Sequence, residues 1–218
     1  MLFDVAELTD SQYAWLDEQQ GIPFVVIDPV ADPPPYVAAV GAADWRGGLT
    51  ATEHLLALGH RRIGVIGGCP RQLHGTARMA GHRSALTATG IPHRPEYEKF
   101  ARFDMAEARP RTGELLDLDE PPTAVFVCSD AMALGTYQAV AERGWRVPDD
   151  VSVVGFDDLP ESRWATPGLT TVRRPLSDMA ATALRPLVRI MAGDPPEASR
   201  IELSADLVVR GSTAPPAT

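Results

Sequence analysis

Six residues, Val151 to Phe156 (VSVVGF), run without polar and apolar side chains alternating. A strand that faces water on one side alternates, and one covered by helices on both faces does not, so the run predicts a buried strand of a parallel sheet. Two aspartates, Asp157 and Asp158, follow at once. In open α/β sheets ligands sit beyond the carboxyl ends of the strands, which is where this pair falls. Aspartate also turns chains, and a turn is the competing reading. Neighbours on an extended chain point in opposite directions, so the two are not expected to reach one substrate as an acid/base pair.

The rest of the chain alternates in the same way. Thr9 to Gln20 reads as a helix closed by Gly21, and PFVVID as a strand ending at Asp28. A short strand at 36–41 precedes a helix from about Trp45 to Leu58, stopped by Gly59. RIGVIGG is the next strand, then a helix over 75–89, a strand near 99–103, a helix to about Leu118 and the strand TAVFVCS. Asp130 is expected to cap a helix over 131–143 that Gly144 ends. After the VSVVGF strand, 169–172 is extended, and a long helix places Leu176, Met179, Ala183 and Leu187 on one face. The tail RIELSADLVVRGST supplies one or two strands. Repeated β-α pairs define an α/β fold, a parallel sheet with helices on both faces.

At 218 residues and 44% hydrophobic the chain can bury a sizeable core. A net charge of -9 argues against a nucleic-acid-binding surface, which needs clustered Lys and Arg. Cys69 and Cys128 are too few for a disulfide framework, no apolar run reaches membrane-spanning length, and MLFDVAELTDSQ lacks the signal-peptide pattern; these features lead to the expectation of a cytoplasmic protein without membrane contact.

Catalytic signatures are missing. GVIGGC matches neither the dinucleotide fingerprint nor the phosphate loop, and there is no Gly-x-Ser-x-Gly elbow. His54, His60, His74, His82 and His93 show no metal-ligand spacing, and His54 and His60 are read as partly exposed structural residues. No enzyme, cofactor or metal is expected.

HLLALGHRRIGVIGG, TARMAGHRSAL, PPTAVFVCSDAMALGTYQAVAERGWRVPDDVSVVGFDD, PGLTTVRRP and LVVRGST, in this order over 21–213, resemble the effector-binding core of lactose-repressor/galactose-repressor family transcription regulators. The resemblance implies the type I periplasmic-binding-protein-like fold, with two doubly wound parallel-sheet subdomains. Residues 1–41 and 167–199 would form the N-terminal one, 42–166 and 200–213 the C-terminal one, and 214–218 a disordered tail. Relative to the family pattern the chain lacks the helix-turn-helix DNA-binding region and the opening units of the first subdomain. It is therefore expected to be N-terminally truncated and to reach DNA only through that missing domain.

By the same resemblance, a small polar effector, a sugar in first place, lies in the cleft between the subdomains. Asp157 matches a strand-end acceptor, Arg78 a forked donor, Phe103 a stacking ring, and His74, Ser129 and Asp28 further contacts. The effector would act allosterically, shifting how a homodimer presents its DNA-binding heads, with Tyr137 and Trp164 at the dimer interface. A sugar-binding protein of a transport system, which would share the fold but carry a secretory signal, is the alternative. An enzyme on the same fold is a third.

Overall fold

The computed structural model describes residues 2–4, 8–18, 23–194 and 200–217. Strands and helices alternate except at β2–β3 and at the last two strands: β1 (Leu2–Asp4), α1 (Asp10–Glu18), β2 (Val25–Ile27), β3 (Ala39–Ala42), α2 (Asp44–Ala57), β4 (Ile63–Gly67), α3 (Leu73–Ala88), β5 (Glu98–Phe100) and α4 (Met105–Leu116). They continue as β6 (Ala124–Val127), α5 (Asp130–Glu142), β7 (Ser152–Asp157), α6 (Pro160–Trp164), β8 (Thr170–Arg173), α7 (Leu176–Met191), β9 (Arg200–Leu203) and β10 (Asp206–Val208). The expected helix stop Gly21 lies outside the described residues. Gly59 (φ 99°) and Gly144 (φ 69°) end α2 and α5 in the left-handed conformation that glycine adopts without penalty.

Two compact units result: Met1–Ala43, Arg71–His74 and Pro175–Ser204 in the first, Asp44–Pro70, Gly75–Arg174 and Ala205–Thr218 in the second. The first is a parallel sheet in the order β1-β2-β3-β9. Residues alternate across it. Val25, Val40 and Ala42 pack on Met179, Ala183 and Leu187 of α7, whereas Val26 and Ala39 pack with Tyr13 of α1. Each face is thus covered by a helix, as the fold class requires, and burying a Leu or Met side chain of this kind contributes about 1.5–3 kcal/mol. Leu176 departs from the expected buried stripe of α7 and is 46% exposed, because it occupies the helix's first position.

The second sheet has the order β10-β8-β7-β6-β4-β5, parallel except for the edge strand β10. The run VSVVGF forms the heart of it, with every residue of Val151 to Phe156 at 0% exposure or buried. Its alternation points both ways into helices. The Phe156 ring lies against Gly47 of α2, and a Cβ at its neighbour Gly155 would run into Asp130 of α5. α2 crosses α3 closely, since Cβ atoms at Gly48 and Gly81 would strike the Arg78 and Trp45 carbonyl oxygens.

Several expectations are corrected. β8 belongs to the second unit and β9 to the first, the reverse of the division at residues 167 and 200, because β8 pairs with β7 and β9 with β3. The short strand expected over 36–41 is displaced to Ala39–Ala42. β1 and the five-residue α6, too short to carry a period, were not anticipated. The cap of α5 is Ser129, whose Oγ accepts from Met132 N at 3.2 Å, rather than Asp130. The tail expected to be disordered begins in register with the fold: Ala214 N donates to Ser152 Oγ (3.0 Å), and its carbonyl accepts from Ser152 Oγ (3.1 Å) and His60 Nε2 (2.9 Å). His60 is accordingly 1% exposed, not partly open to solvent.

Candidate functional site

Strand order decides where a ligand can sit on the second sheet. β4 lies between β5, its successor, and β6, which returns to its other side. The carboxyl ends of β4 and β6 therefore bracket the point where the winding reverses, the crevice at which doubly wound sheets bind ligands.

Arg78, carried by α3, fills that point at 2% exposure. Its Nε donates to Asp44 Oδ1 at the start of α2 (2.8 Å), and its Nη1 donates to the Cys128 carbonyl just past β6 (2.6 Å). Nη1 is also 3.6 Å from Asp157 Oδ1 at the end of β7. The guanidinium carbon lies 3.7 Å from the Phe156 ring centroid and 6.0 Å from that of Phe103. Arg174, just after β8, reaches Asp157 Oδ1 at 2.9 Å. Two arginines and two carboxylates therefore balance in charge around one spot, offering both donors and acceptors beside aromatic faces.

Backbone geometry marks two of these residues, Phe103 and Asp157. Among the described residues, those other than glycine with positive φ are Asp28 (54°), Phe103 (53°), Asp157 (116°) and Asp158 (57°). Such conformations cost about 1–3 kcal/mol each and concentrate at ligand sites, where the surroundings over-determine them. Three of the four are residues singled out from the sequence. Phe103 is the strongest outlier, a bulky side chain in a region asparagine or glycine would favour; its ring is seated on Gly68, where a Cβ would collide with it.

The remaining candidates divide. Asp28 follows β2 in the first unit, its N donating to Val40 O (2.8 Å), and His74 is grouped with that unit at the start of α3. Ser129, at 4% exposure, uses its oxygen as the α5 cap. Tyr137 donates from its hydroxyl to Pro167 O (3.0 Å), and burial raises its pKa. Trp164 on α6 is 75% exposed. Asp158 lies in the turn after β7, its side chain 2% exposed and paired with Arg210 (2.5 Å) and Arg173 (2.6 Å), with Arg163 at 3.7 Å. Burial raises its pKa, but the hydrogen bonds from Arg210, Arg173 and Ser162 and the Arg210 charge outweigh that and leave it lowered.

Asp44, Arg174 and Phe156 escaped the sequence reading. Asp44 looks like any helix-opening aspartate and Arg174 like half of an arginine pair; only the fold shows that they face Arg78 and Asp157.

Nothing in this group is arranged for covalent chemistry. Burial pushes the Cys128 thiol up to about 12, which keeps it protonated. Among the described residues no three metal-ligating side chains stand together, and no helix is long and apolar enough to cross a membrane.

A two-sided parallel sheet with charged and aromatic side chains gathered at its switch point is an architecture that ligand-binding domains use, and comparison with known proteins gives the family. The family of periplasmic binding protein-like domains matches residues 52–213. The probable HTH-type transcriptional repressor ExuR of Bacillus subtilis is 32% identical over 93% of this chain and 61% of its own length. The HTH-type transcriptional repressor PurR of Erwinia tasmaniensis is 33% identical over 98% of this chain and 63% of its own. The chain thus spans about three fifths of the length of these relatives. Among solved structures, the transcriptional regulator CelR in complex with cellobiose superposes with a TM-score of 0.88 at 34% identity, covering 97% of this chain and 64% of CelR. A LacI family regulator from Mycobacterium smegmatis gives 0.86 at 30% identity, covering 99% and 79%. A LacI family regulator from Enterococcus faecium with bound ribose gives 0.88 at 29% identity, covering 98% and 78%. The chain belongs to the LacI family of transcriptional regulators.

Proposed function

We propose that this chain is the effector-binding and dimerisation core of a bacterial transcriptional regulator, and that its effector is a small polar metabolite, a sugar in first place. The reading rests on Arg78, buried at the switch point of the second sheet beside Asp157. Burying a guanidinium carries a desolvation penalty of several kcal/mol, and a ligand crevice is where such a group is of use. Arg78 donates to ligand oxygens, Asp157 accepts from ligand hydroxyls, and Phe103 stacks on the apolar face of the ring. A charge-balanced set of donors and acceptors favours a neutral polyol over an anion. The ribose and cellobiose carried by two similar regulators support the same class.

His74 and Ser129 complete the proposed set, Ser129 by donating its hydroxyl proton while its oxygen keeps the α5 cap. Asp28 is the proposed contribution of the first unit, by its place past the end of β2. The effector acts by favouring one conformation of the core over another, and a DNA-binding domain outside these 218 residues reads the change. The working unit is a cytoplasmic homodimer. Trp164, a large aromatic at 75% exposure, is its proposed contact.

Native mass spectrometry against an equimolar panel of pentoses, hexoses, disaccharides and nucleosides reads both claims together. A sugar adduct on a dimer mass is expected. A nucleoside adduct changes the effector class, no adduct overturns the effector reading, and a monomer mass overturns the dimer.

A further inference from the structure

Asp130 opens α5 but does not cap it, and its carboxylate is 1% exposed. One oxygen, Oδ2, accepts from Leu159 N in the turn after β7 (2.8 Å), and the other, Oδ1, accepts from the Thr171 hydroxyl of β8 (2.6 Å). The space it occupies is reserved by Gly155, where any Cβ would meet Oδ1. Between Gly155 and Leu159 lie Asp157 and Asp158, both with positive φ. A strained pair of residues is thus bracketed by two features fixed on one carboxylate.

We infer that Asp130 is a positioning residue for Asp157, a tie from α5 and β8 to the 157–159 turn that holds the aspartate in its left-handed backbone. Its consequence for effector binding rests on the proposal above that Asp157 contacts the effector. Its effect on the turn does not. Asp130 works in both protonation states. Ionised, it accepts from Leu159 and Thr171. Protonated, it keeps Leu159 as donor and gives its own proton to the Thr171 oxygen, because a hydroxyl both donates and accepts. Such versatility suits the site, since burial drives the Asp130 pKa up to about 7, the Thr171 and Leu159 hydrogen bonds pull it down, and Asp157 and Asp158 push it up again. Tyr137, the titratable group facing it from its own helix, is itself pushed up by burial and stays neutral. Asparagine reproduces the protonated state and alanine removes both bonds.

Hydrogen–deuterium exchange of the chain without added effector tests the tie directly. In Asp130→Ala, the amides of 157–159 should exchange at least tenfold faster than in the wild type, with α2 and β4 unchanged. Asp130→Asn should restore near-wild-type protection. Unchanged exchange of the turn in Asp130→Ala, or acceleration equal throughout the molecule, would overturn the inference, the second by showing a merely structural role. Titration of Asp157→Asn with D-ribose and cellobiose is the separate arm. If it binds these sugars as the wild type does, the effector reading of Asp157 fails while the exchange result stands by itself.

Discussion

The Arg78 guanidinium carbon stands 3.7 Å from the centroid of the Phe156 ring while its Nε is bonded to Asp44, so one cation is stacked and ion-paired in the interior of the sheet's ligand edge. Lysine cannot reproduce this arrangement, having neither a planar face nor a fork of donors. Arg78→Ala strands Asp44, a mostly buried carboxylate, and takes from Asp157 one of its arginines. It should cost about 3–5 kcal/mol, the usual loss when one partner of a buried pair is removed, and Arg78→Lys should recover only part of that. Denaturant titration of the three proteins measures it.

The close α2–α3 crossing that aims Arg78 leaves no room for a side chain at Gly81, where a Cβ would meet the Trp45 carbonyl. Gly81→Ala therefore forces the helices apart and should cost about 1–3 kcal/mol, even though alanine favours helix more than glycine does. A thermal midpoint at or above the wild type would show that the crossing is slack.

Much of this was legible in the sequence, and the reason is physical. Buried parallel strands announce themselves by losing alternation, as Val151 to Phe156 do, and polar residues just after them fall at the ligand edge by topology alone. Asp157, Phe103 and Asp28 follow in that way or from the family pattern, and each has a positive φ. What could not be read was pairing across sequence distance. Nothing in the sequence joins Asp44 to Arg78 or Asp130 to Leu159, and the neighbouring residues Ser129 and Asp130 compete equally for the cap until the backbone shows which one turns inward. The division between units was misjudged because β8 and β9 are short, and their partners, not their composition, assign them.

Two buried groups set opposing pH dependences. His82, against Thr52 Oγ1 at 3.0 Å, has its pKa lowered by burial to about 4, so it stabilises the fold at neutral pH and that stability is lost as pH falls from about 6.5 towards 4. Asp130, raised by burial to about 7, has the opposite sign: its stabilisation is complete below about 4 and is lost as pH rises towards 7. Between about pH 4.5 and 6 each changes stability by up to about 1.4 kcal/mol per pH unit, and the two offset one another. Asp130→Asn should unmask the histidine, its stability relative to wild type climbing with pH across that window, and His82→Gln should fall relative to wild type. Parallel denaturation curves for all three at pH 5 and 6.5 would contradict this.

Asp158 gathers Arg163 from α6, Arg173 from β8 and Arg210 from the C-terminal segment. Arg173 and Arg163 are well exposed and Arg210 is not, at 17% side-chain exposure, so Arg210 carries the larger consequence. Asp158→Ala should cost about 3 kcal/mol as a broken, largely buried pair, and Asp158→Ala with Arg210→Met should recover a measurable part. A double variant no more stable than the single one would show that Arg210 contributes nothing through this pair.

The central claim is that Asp157 and Arg78 form an effector site for a polyol. Differential scanning of wild type and Asp157→Asn, each with and without a saturating pentose, hexose or disaccharide, tests it most directly. A ligand at 100 times its dissociation constant stabilises the native state by about 2.7 kcal/mol, which moves the wild-type midpoint by several degrees; the account predicts that at least one sugar does so and that the shift vanishes in Asp157→Asn. An equal shift in the variant would place the effector elsewhere, and no shift with any sugar in a protein that melts cooperatively would contradict the account.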